Sequence, residues 1–371
     1  VPLLHLSVQG FRNLRPQDLD VPAGTVVVVG PNGAGKTSLL EAVAVLGNLQ
    51  SFRPGPASSW VQHGGQGFVL GGVVERGGTT VELRQEGRLA RTVSRRLQRG
   101  ARRLGAAEYL DLFPVSVLSS HDRQLLWGGP EGRRRFVDRV AFYLHPDTLP
   151  VLQRYRRVLR QRNALLAGRD RDAEFEAFEH DLAQLGSRLV SLRLEAIAAI
   201  EQALPAELEG LGWGLSRPNL RYDAPDGLAP ADVTGMNGWL RAQLARTRGR
   251  DRARGATAVG PHRHDLAISV AGSPARETLS AGQGKLLATA FRLAAMAVFE
   301  QVRGRIPAVV FDDVDAELDG TVLQRVFARL KGAGQALLSS AHEEMVLPRL
   351  PDAAVWRMRD GVVELPAGGR S

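Results

Sequence analysis

Gly30-Pro31-Asn32-Gly33-Ala34-Gly35-Lys36-Thr37 follows the apolar run Val26 to Val29 and leads into Ser38-Leu39-Leu40-Glu41-Ala42-Val43. The octet is a complete G-x-x-x-x-G-K-[ST] loop between a strand and a helix, the context in which that motif binds phosphate. Its glycines let backbone N–H groups turn inward onto a triphosphate, Lys36 reaches the β and γ phosphates, and the Thr37 hydroxyl ligates Mg²⁺. The positive end of the helix that begins at Ser38 would face the same phosphates. Gly30 through Ser38 are therefore the expected nucleotide contacts.

Two or three domains fit in 371 residues, and a hydrophobic content of 44% suffices for real cores. No apolar run approaches the roughly 18 residues of a membrane span, and the first residues lack a charged-then-apolar signal pattern. The expectation is a soluble, cytoplasmic protein with no membrane partner. With no Cys, disulfides and thiolate metal sites are excluded. A net charge of +9 attracts polyanions, nucleic acid first. Only Lys36, Lys285 and Lys331 are lysines, so Arg supplies the rest of the positive charge and its abundance is not itself a recognition signal.

Leu4, Leu6 and Val8 alternate with polar residues, which predicts a half-buried strand, and Phe11-Arg12-Asn13 follows it. Strands are predicted at Phe68 to Val74 and Thr79 to Arg84 around the turn Arg76-Gly77-Gly78, and at Val115 to Leu118. Between Arg84 and Arg103 lies a basic stretch with Arg95, Arg96, Arg99, Arg102 and Arg103, readable as a solvated face or as phosphate contacts. From Pro130 the chain turns helical. Phe175, Phe178, Leu182, Leu185, Leu189, Leu192, Ala196, Ala199 and Ala203 recur at alternating steps of three and four, a heptad seam. With the helix predicted at Thr148 to Ala167 and a turn at Gly168 to Asp172, this reads as an antiparallel helical hairpin whose longer arm spans roughly 45 Å. Gly210 to Pro230 reads as loop, and Arg241 to Arg254 as a second basic run. His262, His264 and Asp265 lack metal-ligand spacing. A long amphipathic helix follows Leu279-Ser280-Ala281-Gly282-Gln283, and strands are predicted at Ala308 to Phe311, Gln335 to Ser340, Ala353 to Met358 and Val362 to Leu365.

The run Ala308 to Phe311 ends in Asp312 and Asp313. A P-loop needs a carboxylate on a neighbouring strand to hold Mg²⁺, a role that suits Asp312, and Asp313 would then sit beside the γ-phosphate as the base for water attack. Asp312, Asp313 and Lys36 are the expected catalytic residues, with Thr37 and Asp312 on the metal.

Leu279-Ser280-Ala281-Gly282-Gln283 resembles the signature of ABC-type ATPases, although Ser280 also suits an ordinary helix N-cap. The resemblance implies that Ser280, Gly282 and Gln283 contact the γ-phosphate bound by an opposite copy, that Asp319 is the D-loop aspartate, and that His342 is the switch histidine. A long, mostly helical insertion between the halves of the site resembles the SMC-like branch. Phe11-Arg12-Asn13, Arg133-Arg134-Arg135-Phe136-Val137-Asp138 and Gly260-Pro261-His262-Arg263-His264-Asp265-Leu266 are similar to motifs of the bacterial RecF recombination-mediator family, and Arg12 joins the expected nucleotide contacts on that basis. The resemblance covers essentially the whole chain. Departures are Gly284-Lys285 in place of Gln-Arg, Ala316 in place of a D-loop Ser, Ser120-His121-Asp122 in place of Pro-Glu-Asp, and Ser339-Ser340-Ala341 in place of a Thr-rich strand end.

The fold implied is α/β: an ABC-type ATPase head, with a P-loop mixed sheet plus an antiparallel β subdomain, and a mostly helical second lobe bearing a short helical hairpin. Lobe I would combine residues 1–122 and 305–371, and lobe II residues 123–304 with the signature. The family implies ATP and Mg²⁺ as ligands and an ATP-dependent homodimer closing on double-stranded DNA near gap junctions. It further implies RecR and RecO as partners and RecA indirectly, with slow hydrolysis as a timer. A transporter ATPase subunit and a structural SMC-type protein are the alternatives; the charge and the short hairpin stand against them.

Overall fold

A computed structural model describes residues 1–90, 92–166, 172–228, 235–332 and 334–364. The chain divides into two compact units, one of residues 1–123, 206–213 and 280–371, the other of residues 124–205 and 214–279.

The first unit holds two six-stranded sheets. In the mixed sheet the order is Val362–Glu364, Ala354–Arg359, Gly24–Val29, Gln335–Ser340, Ala308–Phe311, Val115–Leu118. All neighbours are parallel except the edge strand Val362–Glu364. Fully apolar runs such as Ala308–Phe311, buried at every residue, are what a parallel strand covered on both faces requires. The antiparallel sheet runs Gln17–Asp20, Leu3–Gln9, Gly67–Arg76, Thr79–Leu89, Val93–Arg99, Arg102–Arg103. The helix Lys36–Asn48 packs against strands of both sheets and is buried along almost its whole length, so its residues and the facing strands form one core. A helix apolar all round needs such an interior position.

The strand Gln17–Asp20 is too short to show a pattern in sequence, and the basic stretch from Arg84 to Arg103 is drawn into three strands. The helix Ala281–Arg303 belongs to the first unit, not to the helical insertion as expected. It packs on the strand Val115–Leu118, and its Arg292 pairs with the buried Asp122 at 2.7 Å.

The second unit contains the helices Pro130–Leu144, Thr148–Leu166 and Met236–Arg254, most of the helix Asp172–Leu211, and a three-stranded antiparallel sheet. Contacts of Asp147 with Arg188, Arg154 with Asp181 and Arg162 with Glu179 run in opposite directions along the chain, as an antiparallel hairpin demands. Most of its predicted turn, residues 168–171, lies outside the described residues. The 40-residue helix is longer than expected, about 60 Å. Phe175, Leu182, Leu185, Leu189, Leu192 and Ala196 of the predicted seam are buried, but Ala199 and Ala203 yield the buried face to Ile200 and Leu204. A straight helix drifts about 20° per heptad, so four heptads carry the stripe off a strict seven-residue repeat.

The expected loop from Gly210 to Pro230 contains the strand Asn219–Asp223, with Leu220 and Tyr222 buried, pairing antiparallel with Asp265–Val270. Residues 229 and 230 fall outside the described part. Among the described residues no helix is long and apolar enough to cross a membrane.

Candidate functional site

The strands Gly24–Val29 and Gln335–Ser340 are in register, Val29 beside Ser340 and Phe311 beside Leu338. Their carboxyl ends therefore bring the Gly30 to Thr37 loop, Asp312, Asp313 and Ser339 to one edge of the sheet, where ligands bind in parallel α/β sheets.

The loop is shaped for an anion. Gly30 has φ +151° and a Cβ there would lie 2.3 Å from the Met358 carbonyl oxygen, so only glycine lets the neighbouring strand pack this close. Gly35, at φ +111°, starts the helix with no side-chain cap, which leaves the first N–H groups to a ligand. Pro31, Asn32 and Gly33 are exposed around the loop while Ala34, Gly35 and Lys36 are buried. The Lys36 ammonium donates to the carbonyls of Gly30 (2.7 Å) and Pro31 (3.2 Å) and so already sits inside the loop.

Asp312 is buried, and its carboxylate accepts from the Ser339 hydroxyl at 2.7 Å and from the Thr37 side chain. Burial pushes its pKa up to about 6, opposed by the Ser339 hydrogen bond, reinforced by the charge of Asp313, and further opposed by Thr37 and Arg53. Asp313 has a left-handed backbone (φ +53°), which costs a non-glycine residue about 1–2 kcal/mol, and Ser339 Oγ accepts its N–H at 2.9 Å. One hydroxyl thus orients both carboxylate residues, a role for Ser339 that sequence reasoning missed.

Phe11-Arg12-Asn13 resolves into three attachments. Phe11 is buried edge-on against Phe68 at 5.6 Å. Arg12 pairs with Glu41 of the P-loop helix through Nε and Nη2, at 2.9 and 2.5 Å. Asn13 donates to the Gly33 carbonyl (3.2 Å) and accepts from Ser38 Oγ (2.7 Å), bracing the loop. Asn13 and Glu41 were not legible as site residues, although a single carboxylate in an otherwise apolar helix demands a buried partner.

Ser280 caps the helix Ala281–Arg303 in a capping box. Its hydroxyl accepts from the Gln283 N–H at 3.3 Å, and its own N–H donates to Gln283 Oε1 at 2.9 Å. Ser280, Ala281, Gly282 and Gln283 are all exposed, and a Cβ on Gly282 would meet nothing within 4 Å. Asp319 caps the helix Gly320–Leu330, accepting from the N–H groups of Thr321 (2.9 Å) and Val322 (3.0 Å). The His342 ring is 62% exposed, whereas the His342 backbone N–H donates to Asp315 at 3.0 Å and to Ser340 Oγ at 2.9 Å. Asp315 also accepts from the Ser340 hydroxyl at 2.9 Å, tying the segment after Asp313 to the end of the neighbouring strand.

The two remaining motif stretches meet inside the second unit. Arg133 grips Asp265 through two 2.8 Å bonds, Arg134 donates to the His264 carbonyl, and Arg193 holds both Asp138 and the Pro261 carbonyl. His262 Nε2 faces the Thr257 carbonyl at 3.0 Å and must donate, so Nδ1 accepts from the Tyr155 hydroxyl at 2.7 Å. Burial lowers the His262 pKa to about 4, keeping the ring neutral as that pattern requires. His264 lies between the Tyr222 hydroxyl and Asp226, each at 2.8 Å. These histidines hold a buried polar network together.

Several arginines of the stretch from Arg84 to Arg103 have partners within the fold: Arg95 lies over Trp60 and donates to the Leu49 carbonyl, Arg84 pairs with Glu86, and Arg102 with Glu108. The helix Met236–Arg254 instead exposes Arg246, Arg250 and Arg254 at four-residue spacing, and the helix Thr148–Leu166 exposes Arg156, Arg157 and Arg160. None of these six forms an ion pair among the described residues.

The sequence matches the family described as RecF/RecN/SMC N terminal domain over residues 2–353. It is 34% identical over 370 residues to the DNA replication and repair protein RecF of Anaeromyxobacter sp. (strain Fw109-5), covering 97% of this chain and 98% of the relative. The protein of the same name from Synechococcus sp. (strain JA-3-3Ab) is 33% identical, with coverages of 92% and 91%. Among solved structures, the recombination mediator protein RecF-ATP in the RecFOR pathway shares the fold at a TM-score of 0.86 and 24% identity, over 98% of each chain. The SmcHead bound to the C-winged helix domain of ScpA shares it more distantly, at a TM-score of 0.54 and 17% identity over 99% of this chain and 98% of that one. An α/β head of the SMC-like ABC ATPase type, with this loop and these motifs, makes the chain a member of the RecF family.

Proposed function

We propose that the protein is an ATP-binding and slowly hydrolysing recombination mediator that closes as a homodimer on duplex DNA. The observation that carries the reading is the convergence of Lys36, Thr37, Asp312 and Asp313 at one sheet edge, together with an exposed, capped helix N-terminus at Ser280 that no part of the loop occupies. The loop and first helix turn would hold the triphosphate, Asp313 would accept the proton of the attacking water, and Ser280, Gly282 and Gln283 would meet the γ-phosphate of a second copy. Among the described residues no group of three or more His, Asp or Glu could hold an ion by itself. Thr37 and Asp312 nevertheless offer the hard oxygens that suit Mg²⁺ shared with nucleotide phosphates, where the ion would neutralise phosphate charge. Lobe I is read as the P-loop unit and lobe II as the helical one. RecR and RecO are the partners and RecA the indirect beneficiary, on the strength of family membership, and the cytoplasm the location.

Binding of Mg²⁺-ATP needs the Asp312 carboxylate ionised. With its pKa raised to about 6, affinity should be level above pH 7 and weaken roughly tenfold per pH unit below 6. Titration calorimetry from pH 5 to 8 reads this, and Asp312→Asn should bind weakly at every pH. A parent affinity that stays flat down to pH 5 removes Asp312 from the metal.

Duplex binding, followed by fluorescence anisotropy with and without ATP, tests the second half of the reading. Affinity should rise with ATP and fall with salt at a log–log slope of about −0.9 per phosphate contacted. Arg250→Ala with Arg254→Ala should make that slope shallower by about two if both touch phosphate. An unchanged slope would place the contacts elsewhere, and no binding at low salt would end the DNA reading.

A further inference from the structure

Asp313 closes the turn between the strand Ala308–Phe311 and the one-turn helix Val314–Glu317, and it does so with a left-handed backbone at φ +53°. For a residue with a side chain that region is disfavoured by about 5- to 30-fold in population, so it persists only where the chain on both sides is fixed. Two attachments to the end of the neighbouring strand Gln335–Ser340 bracket the residue. The first is its own N–H, which donates to Ser339 Oγ at 2.9 Å. The second comes two residues later, where a single oxygen of Asp315, Oδ2, accepts from the Ser340 hydroxyl at 2.9 Å, the Ala341 N–H at 3.2 Å and the His342 N–H at 3.0 Å. Val314, between the two attachments, is fully buried. Asp315 thus fixes the exit of the turn as Ser339 fixes its entry. A carboxylate suits the place, because it offers only acceptors and its charge-assisted bonds are about twice as strong as neutral ones.

We propose that Asp315 is a positioning residue for hydrolysis: by clasping the chain after Asp313 to residues 340–342, it keeps Asp313 in its left-handed conformation and so keeps in place the carboxylate that takes the proton of the attacking water. Without the clasp the turn relaxes toward the ordinary backbone regions, and the reactive geometry becomes a minor population. Affinity for ATP is set elsewhere, by the loop from Gly30 to Thr37, so the clasp acts on turnover. The inference rests on the reading of Asp313 as the base.

Turnover, ATP affinity and ATP-dependent dimerisation are measured in the parent, Asp315→Ala, Asp315→Asn, Asp313→Asn and the double variant of Asp313→Asn with Asp315→Ala. Asp315→Ala should lower kcat about tenfold, within the range set by the backbone preference, with the Kd for ATP within roughly threefold and the dimer intact. Asp315→Asn keeps an acceptor oxygen and should recover most of that loss. In the double variant turnover should be no slower than in Asp313→Asn alone, since a residue that acts through Asp313 has nothing left to place. Parent-like turnover in Asp315→Ala, an Asp315→Asn variant equally slow, additive losses or loss of the dimer would each overturn the role. If circular dichroism shows Asp315→Ala to be unfolded, Ser340→Ala decides, because it removes one donor of the clasp. A loss of turnover there that disappears in the Asp313→Asn background supports the inference, and parent-like turnover defeats it. A folded parent that binds no ATP, or an Asp313→Asn variant that turns over like the parent, refutes the underlying reading and takes this inference with it. Parent-like turnover in Asp315→Ala beside a slow Asp313→Asn refutes the inference alone.

Discussion

Lys36→Ala should bind ATP two to four orders of magnitude more weakly than the parent while keeping its fold. The Lys36 ammonium is 5% exposed and already directed into the loop by the Gly30 and Pro31 carbonyls. Charge-assisted bonds to phosphate contribute about 1.5–3 kcal/mol each, so two of them correspond to roughly 10²- to 10⁴-fold in affinity. No other lysine can substitute, because Lys285 lies on the helix after Ser280 and Lys331 follows the helix Gly320–Leu330. Stability should change little: alanine favours a first helical turn, and Gly30, Pro31 and their neighbours lie at the edge of the sheet within reach of water. Calorimetry gives the affinity and a thermal melt the fold. A variant that melts like the parent and binds ATP equally well would falsify the P-loop assignment.

What was legible in the sequence was what is local in it. The strand, loop and helix from Val26 to Val43 follow one another without interruption, and the paired carboxylates at the end of Ala308–Phe311 announce themselves by position. The long helix showed its buried face clearly as far as Ala196, and a heptad template then misassigned Ala199 and Ala203 because 3.6 residues per turn do not keep step with a seven-residue repeat. The strand Asn219–Asp223 has too few alternations to stand out between Pro and Gly residues. Residues that orient the site stayed hidden for another reason. Ser339 acts on Asp312 from 27 positions away and Arg12 on Glu41 from 29, so neither pairing leaves a spacing that a reader could match. The histidines of Gly260 to Leu266 show the converse: a chemically suggestive cluster whose ring nitrogens are used within a buried network.

Ser280→Arg should leave ATP binding intact and abolish ATP-dependent dimerisation. The capping box turns the hydroxyl and side-chain amide of Ser280 and Gln283 onto the backbone of the helix end, and the whole turn from Ser280 to Gln283 is open to solvent. A capped, exposed N-terminus of a 23-residue helix is suited to an approaching phosphate, and its own chain offers none. If the phosphate comes from nucleotide held by Lys36 of a second copy, the nucleotide is part of the interface and dimerisation must depend on it. Arginine at position 280 removes the cap at a cost of about 1 kcal/mol and places a bulky side chain where the partner's loop must come. The variant's own Gly30 to Thr37 loop is untouched. It should therefore bind ATP as a monomer, and lose hydrolysis and ATP-stimulated DNA binding together, because both need the closed pair. Light scattering with a non-hydrolysable ATP analogue decides the matter. A parent that stays monomeric, or a Ser280→Arg variant that still dimerises, rules out the shared site, whereas loss of dimer with parent-like ATP affinity separates the two halves of the proposed site.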